Sequence, residues 1–210
     1  ESSRLGKDLV FGFPNDLSYN GFVNKLKWHG FGNLSCFEIT DLGSFEKIRQ
    51  FIDPGITFST NIENKKEIDG LWEKVKDRVI VGVPRGSEFL DWRFENNPEE
   101  TYEIYYLKKE GKIIGYFVTK LYNDPEGHLI GHIIDFLTLK NDYFLEILYY
   151  AVSVLKKVNV ERITFWINKG MIEGSEFDKI KDTILQKEMP RTFFGMKIVS
   201  DRLTEDQIEL

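Results

Sequence analysis

The spacing of apolar and polar positions changes period several times along the 210-residue chain, and each change predicts an element. DLVFGF, from Asp8 to Phe13, reads as a strand. Pro14-Asn15-Asp16 breaks it and offers capping oxygens for a short helix from about Leu17 to Leu26. NLSCFEI alternates as a further strand, and FEKIRQFI gives a helical turn or two that ends at Pro54-Gly55. The pattern then restarts. ITFSTNI predicts a strand, and Asn64 is placed to cap a helix whose Ile68, Leu71, Trp72 and Val75 recur at helical spacing. RVIVGVPRG is apolar and then broken, and SEFLDWRF predicts a short helix from Ser87 that stops before Pro98. Alternation of apolar and polar residues from Thr101 to Lys140 predicts a three-strand antiparallel meander with turns at Glu110-Gly111 and Pro125-Glu126-Gly127. Asn141 or Asp142 is expected to cap the long apolar helix YFLEILYYAVSVLKKV. A strand VERITFWIN, a helix over SEFDKIKDTILQK, a break at Met189-Pro190 and a last strand TFFGMKIV follow.

This order is that of an α/β protein with a mixed sheet flanked by helices, because a strand, a crossover helix and a further strand normally make a parallel pair. The boundary at Pro54-Gly55 divides the chain into residues 1–54 and 55–210. The two parts echo one another: FGFPN, a helix, Trp28 and NLSCFEI resemble FWINK, a helix, Met189 and TFFGMKIV. Such self-similarity is a mark of duplicated units. The chain begins at Glu1 and soon enters a strand that needs a partner, so further sequence is expected before it.

Composition excludes several classes. A net charge of −6 without a basic cluster argues against a nucleic-acid binder, which needs concentrated Lys and Arg to neutralise phosphates. No stretch approaches the roughly 20 apolar residues that span a bilayer, so no membrane association is expected. Cys36 is the single cysteine and can form no internal disulfide, which suits the cytoplasm. His128 and His132, four apart in a strand, share a face without an evident third ligand, and no metal site is expected.

From Ile56 to Ser200 the order of elements resembles the acetyltransferase superfamily known as GNAT. More specifically, PRGSEFLDWRFENNPEETYEI looks like a stretch of GNAT-like proteins in which Phe or Tyr, Leu, Trp and Arg precede Pro and Tyr, here Phe89, Leu90, Trp92, Arg93, Pro98 and Tyr102. The first copy of such proteins ends in a Phe-Pro-Asn turn and a Gly-Trp pair. This chain has Phe13, Pro14, Asn15 and Trp28, with Lys27 in place of the glycine. The resemblance implies a tandem protein whose residues 1–54 close a first copy and whose residues 55–210 form a second.

It also implies a co-substrate, acetyl-CoA. Its pantetheine would lie in the gap between the fourth strand and the parallel fifth, against Phe136, Leu137 and Thr138. The superfamily's pyrophosphate loop is glycine-rich, whereas this chain reads TLKNDYFL with an acid at Asp142. Pyrophosphate is therefore expected in the first copy. The usual acid tyrosine of the fourth helix is matched by Val23 and Ile184, with Tyr19 one turn away.

Asp135 is the leading candidate for catalysis, because an acid within an apolar central strand is costly unless paired or functional; a structural ion pair with Arg93 is the alternative. His132, three residues earlier, is expected on the opposite face and is a second candidate base. Trp92, Arg93 and Tyr102 are candidates for substrate binding, with Tyr105, Tyr106 and Trp166 as further aromatics of one cleft or as core. The expected function is acyl-CoA-dependent transfer to an amine, on a small molecule, an amino sugar or a cell-envelope precursor. A non-catalytic scaffold or recognition module of the same fold is the alternative.

Overall fold

A computed structural model describes residues 8–33, 35–79, 82–167, 179–187 and 193–202. These divide into two compact units: the residues up to Cys36 together with those from Lys187 onward, and Phe37–Gln186. The division falls inside a strand, Ser35–Ile39, and not at Pro54-Gly55.

In the larger unit the meander forms as its alternation predicts. Strands β5 (Glu103–Lys109), β6 (Lys112–Asn123) and β7 (Leu129–Thr138) pair antiparallel. Glu110 and Gly111, both at positive φ (51° and 74°), make the two-residue turn between β5 and β6, the geometry that matches the twist of a hairpin. β4 (Ile56–Ser59) adds an antiparallel edge to β5, and β8 (Arg162–Ile167) runs parallel to β7 after the crossover helix α4 (Phe144–Lys157). β3 (Ser35–Ile39) borders β8, and β9 (Leu185–Lys187) closes the order β4-β5-β6-β7-β8-β3-β9.

Helices cover both faces of this sheet. On one, α4 buries Phe144, Leu145, Leu148, Val152 and Leu155 against Phe117, Ile133 and Phe165. On the other, α2 (Lys66–Val75) presents Ile68, Leu71 and Val75, and α3 (Ser87–Leu90) presents Leu90, to Tyr106, Tyr116, Val118 and Leu137. The N-cap of α2 is Lys65, which gives no side-chain cap, and not Asn64; one residue earlier, Asn64 Oδ1 accepts from the Lys66 N–H at 3.0 Å. Asp69 of α2 starts α3: its Oδ1 accepts from both the N–H and the hydroxyl of Ser87. α3 continues into a π turn, Asp91–Glu95, whose i to i+5 bond runs from the Asn96 N–H to the Asp91 carbonyl at 2.8 Å. Such wide turns recur near functional sites.

The smaller unit is a three-stranded antiparallel sheet of β1 (Leu9–Gly12), β10 (Phe193–Ile198) and β2 (His29–Asn33), in the order β1-β10-β2. α1 (Asp16–Asn20) opens on a capping box between Asn15 and Ser18. Tyr19 stacks on Phe193 with ring centroids 3.9 Å apart, and a Cβ at Gly30 would fall 2.5 Å from the Tyr19 hydroxyl, so any larger residue there would displace that ring. Lys27, where the resembling proteins carry glycine, has φ 58°, a conformation that disfavours every side chain.

Three further expectations change. The final strand TFFGMKIV does not extend the sheet of the meander; it lies between β1 and β2, and β3 stands beside β8. The helix expected over SEFDKIKDTILQK is replaced, from Lys179 onward, by turns and the strand β9, while its start and the Met189-Pro190 break lie outside the described residues. α4 has no side-chain cap; a single 3-10 turn, Asn141–Tyr143, leads into it.

Candidate active site

Asp135 owes its position to an irregularity in β7. Val118 and Thr119 are consecutive on β6 but face Asp135 and Ile133, so Ile134 is an extra residue on β7. Opposed residues in an antiparallel pair share a face. His132 faces Lys120, Asp135 faces Val118, and Lys120 and Val118 lie two apart on β6. His132 and Asp135 therefore lie on the same face, towards α2 and α3, and the expectation of opposite faces is corrected. Simple alternation fails here because the bulge consumes one residue.

The Asp135 carboxylate, 12% exposed, is met by three donors. Arg85 Nη2 lies 3.3 Å from Oδ1, the Phe136 N–H donates to Oδ1 at 2.9 Å, and the Tyr116 hydroxyl donates to Oδ2 at 3.2 Å. Burial pushes the carboxyl above its usual range, with Arg85, the Phe136 N–H, Tyr116 and Arg93 opposing the shift in that order. Tyr116, wholly buried, is driven well above the usual phenol range by burial and by the charge of Asp135. It is a neutral O–H donor. The alternative pairing of Asp135 with Arg93 gives way to Arg85: the Arg93 guanidinium lies over the Phe94 ring, 5.9 Å from its centroid.

His132 is half-buried, with Nδ1 2.6 Å from the Thr164 hydroxyl on β8. Burial, then Lys120 and Arg162, hold its pKa below the usual value, so the imidazole is neutral at pH 7 and free to accept a proton. The face thus carries a carboxylate of raised basicity, a neutral imidazole and a neutral phenol within one strand pair. Tyr116, Arg85 and Thr164 were missed in the sequence. Tyr116 sits in the alternation of IIGYFVT and Arg85 in a Pro-Gly break, and neither position signals a carboxylate partner.

β7 and β8 pair from Ile130↔Arg162 to Ile133↔Phe165, and Phe136, Leu137 and Thr138 lie beyond these pairs on β7. Two of their backbone groups already have side-chain partners. The Phe136 N–H is held by Asp135, and the Thr138 carbonyl accepts from Arg78 Nη2 at 2.8 Å. Leu137 is buried among the residues beneath α2. The loop from Leu139 to Tyr143 carries no glycine, and its Asn141 Oδ1 lies 3.5 Å from Arg78 Nη1. It does not fit a pyrophosphate cradle of the glycine-rich kind.

The aromatic candidates do not share one cleft. Tyr105 stacks on Phe117 on the α4 face, whereas Tyr106 lies on the α2 face. Tyr102 packs edge-on to Phe94, and Trp166 is partly exposed on β8. Trp92 is 69% exposed and flanks a groove between α2 and α3. His128 belongs elsewhere: with Asp124 and Glu126 it forms a cluster of ligand atoms within 4.8 Å of one another at the β6–β7 turn. Asp124 Oδ2 is already met by His128 Nδ1 and Arg162 Nη2, each at 3.1 Å, so protein cations balance that charge.

No family model matches the chain, and no curated protein matches it in sequence. Solved structures do match. A GCN5-related N-acetyltransferase from Anabaena variabilis superposes with a TM-score of 0.66 at 13% identity, over 95% of this chain and 48% of that one. A conserved protein of unknown function from Enterococcus faecalis gives 0.64 at 14% identity, over 94% and 47%. A tandem GNAT protein from the clavulanic acid biosynthesis pathway gives 0.53 at 9% identity, over 95% and 67%. The chain spans about half the length of the first two. With its mixed sheet flanked by helices and its bulged β7, the chain has the fold of the GCN5-related N-acetyltransferases.

Proposed function

We propose that this chain is part of an acyl-CoA-dependent N-acyltransferase acting on a primary amine of a small molecule, amino sugar or cell-envelope precursor. The observation that supports it most is Asp135 at the β7 bulge, two residues beyond the last β7–β8 pair, Ile133↔Phe165. Acetyl-CoA, as co-substrate, would supply the thioester carbonyl. Asp135, of raised basicity, takes one proton from the acceptor ammonium; the freed nitrogen lone pair forms the new C–N bond, the C–S bond breaks, and the second proton lost by the nitrogen passes to the departing coenzyme A thiolate. His132 is the alternative base. Trp92, Arg93 and Tyr102 then act on the acceptor side, Trp92 directly and the other two by fixing the α3 turn. Phe136, Leu137 and Thr138 line the pantetheine, and pyrophosphate is held outside the Leu139–Tyr143 loop.

The tandem organisation is part of this reading. Residues 1–54 would close a first copy and 55–210 form a second, with the last strands exchanged: β10 beside β1, and β3 beside β8. A cytoplasmic location is proposed from the single cysteine; among the described residues no helix is long and apolar enough to cross a membrane.

A second reading, a non-catalytic recognition module, draws on the glycine-free loop and on the side chains that hold the Phe136 N–H and the Thr138 carbonyl. Titration of acetyl-CoA into the chain, followed by thiol release with a panel of amines, separates the two. Binding with Asp135-dependent turnover supports the transferase. Absence of turnover, both by this chain and by a longer form carrying the preceding sequence, would leave only the recognition module.

A further inference from the structure

A pocket of about 380 Å³ lies where the last turns of α4 meet β5 and β6. Tyr105, Leu121, Val154, Leu155 and Val158 give it apolar walls. Tyr105 is fixed by its stack on Phe117, with ring centroids 4.8 Å apart. Leu121 and Val158 are 45% and 46% exposed, so their apolar surface stays open to an occupant. Thr119 lines the same pocket. It faces Glu103 on β5 and Ile133 on β7, which places its side chain on the α4 face of the sheet, the reverse of the face that carries Asp135.

Thr119 is only 3% exposed, and its hydroxyl makes no hydrogen bond among the described residues. A hydroxyl buried without a partner costs free energy that a polar atom of an occupant would recover. The charged groups of the pocket are already matched. The Glu103 carboxylate accepts from the Tyr105 hydroxyl, and Glu100 meets Lys120 at 2.6 Å. Glu99 is the third acid of the lining and is exposed. The walls are therefore apolar, the one unmatched buried group is neutral, and the surrounding acids disfavour an anion. Apolar walls with a few placed polar groups are the usual make-up of a small-molecule site.

We infer that this pocket binds a small neutral alcohol or phenol, an apolar body bearing one hydroxyl that pairs with the hydroxyl of Thr119. The body covers Tyr105, Val154, Leu155 and Val158, and each hydroxyl can both donate and accept. A plain hydrocarbon leaves Thr119 unpaired, and a carboxylate meets Glu99, Glu100 and Glu103. Thr119 is also half of the Val118-Thr119 step opposite the β7 bulge, so an occupant touches the strand that seats Asp135 from its other face. The inference rests on the pocket alone and holds whether or not acyl transfer takes place.

The test is titration of 4-ethylphenol into the chain at pH 7, where the phenol is neutral, followed by amide chemical shifts. Saturable shifts are expected at Thr119, Val154 and Val158. Thr119→Val should weaken binding about fivefold, the loss of one hydrogen bond, and Val158→Asp, at an exposed position, should weaken it by setting a charge against the apolar body. Ethylbenzene should bind about fivefold more weakly than the phenol and be indifferent to Thr119→Val. The anion 4-ethylbenzoate should not bind. Without ligand, Thr119→Val should keep or raise the thermal midpoint, whereas a hydroxyl bonded within the fold would give a lower one. Absence of saturable shifts, binding indifferent to both variants, or a lowered midpoint for Thr119→Val overturns the proposal. Ethylbenzene or 4-ethylbenzoate binding as tightly as the phenol overturns it as well.

Discussion

His132 and Asp135 share one face of β7 although three residues separate them, because Ile134 is taken up by a bulge opposite the Val118-Thr119 step. A regular strand would send one of them into the core beneath α4. The bulge brings two groups of opposite proton affinity trend to one side, the carboxyl raised and the imidazole lowered by burial. The carboxyl is thereby drawn towards the range in which acid–base chemistry operates at neutral pH, while the imidazole is held in its neutral form.

If Asp135 is the base, Asp135→Asn should lower kcat/KM about 10²- to 10⁴-fold and leave the far-UV circular dichroism unchanged. Stability should move the other way. A carboxyl whose folded pKa lies above its unfolded value costs stability once pH exceeds the folded pKa, and regains it as pH falls towards the unfolded one. The asparagine variant should therefore lose that pH dependence, and urea melts at pH 7 and pH 5 check it. Unchanged turnover would move the role of base to His132.

Tyr116→Phe removes a donor that opposes the raised pKa of Asp135. The acid limb of the pH–rate profile should shift to higher pH, with a stability loss of about 1 kcal/mol from the lost hydrogen bond. Arg85→Met should shift the same limb further, since Arg85 is the largest of the opposing influences. A profile unmoved by both variants would mean that Asp135 does not set that limb.

His128 and His132 should titrate on opposite sides of 6.5 when followed by NMR. Asp124 first, then the charges of Glu161 and Asp124, raise His128, and burial lowers His132. His128 therefore contributes stability that is fully present below about 6.5 and is lost as pH rises through its folded value. His132 does the reverse, costing stability as pH falls below about 6.5. His128→Ala should accordingly destabilise the chain more at pH 6 than at pH 8.

Lys27→Gly should stabilise the chain by about 0.5–1 kcal/mol, since relief of a left-handed conformation outweighs the extra freedom of glycine in the unfolded chain. A rise in thermal midpoint of the full chain would report it. Lys27→Ala, which keeps a Cβ, should give no such gain.

Much of the architecture was legible along the chain, because local physics decides it. The meander, its Glu110-Gly111 turn, α4 and the buried face of α2 follow from period, β-branching and turn chemistry over a few residues. The acid inside GHIIDFLTL was visible for the same reason: it interrupts an apolar run. What surrounds that acid was not. Arg85 is 50 residues before it and Tyr116 is 19 before it, and their approach depends on how α3's leading loop and β6 cross the sheet. The face shared by His132 and Asp135 depends on a bulge that alternation cannot reveal, because an extra residue is defined only against its partner strand. Strand partnership was the other matter left to tertiary structure. NLSCFEI and TFFGMKIV read equally well as edge or interior strands, and only the assembled sheets put β3 beside β8 and β10 between β1 and β2, since backbone hydrogen bonds carry no label of the chain segment that supplies them.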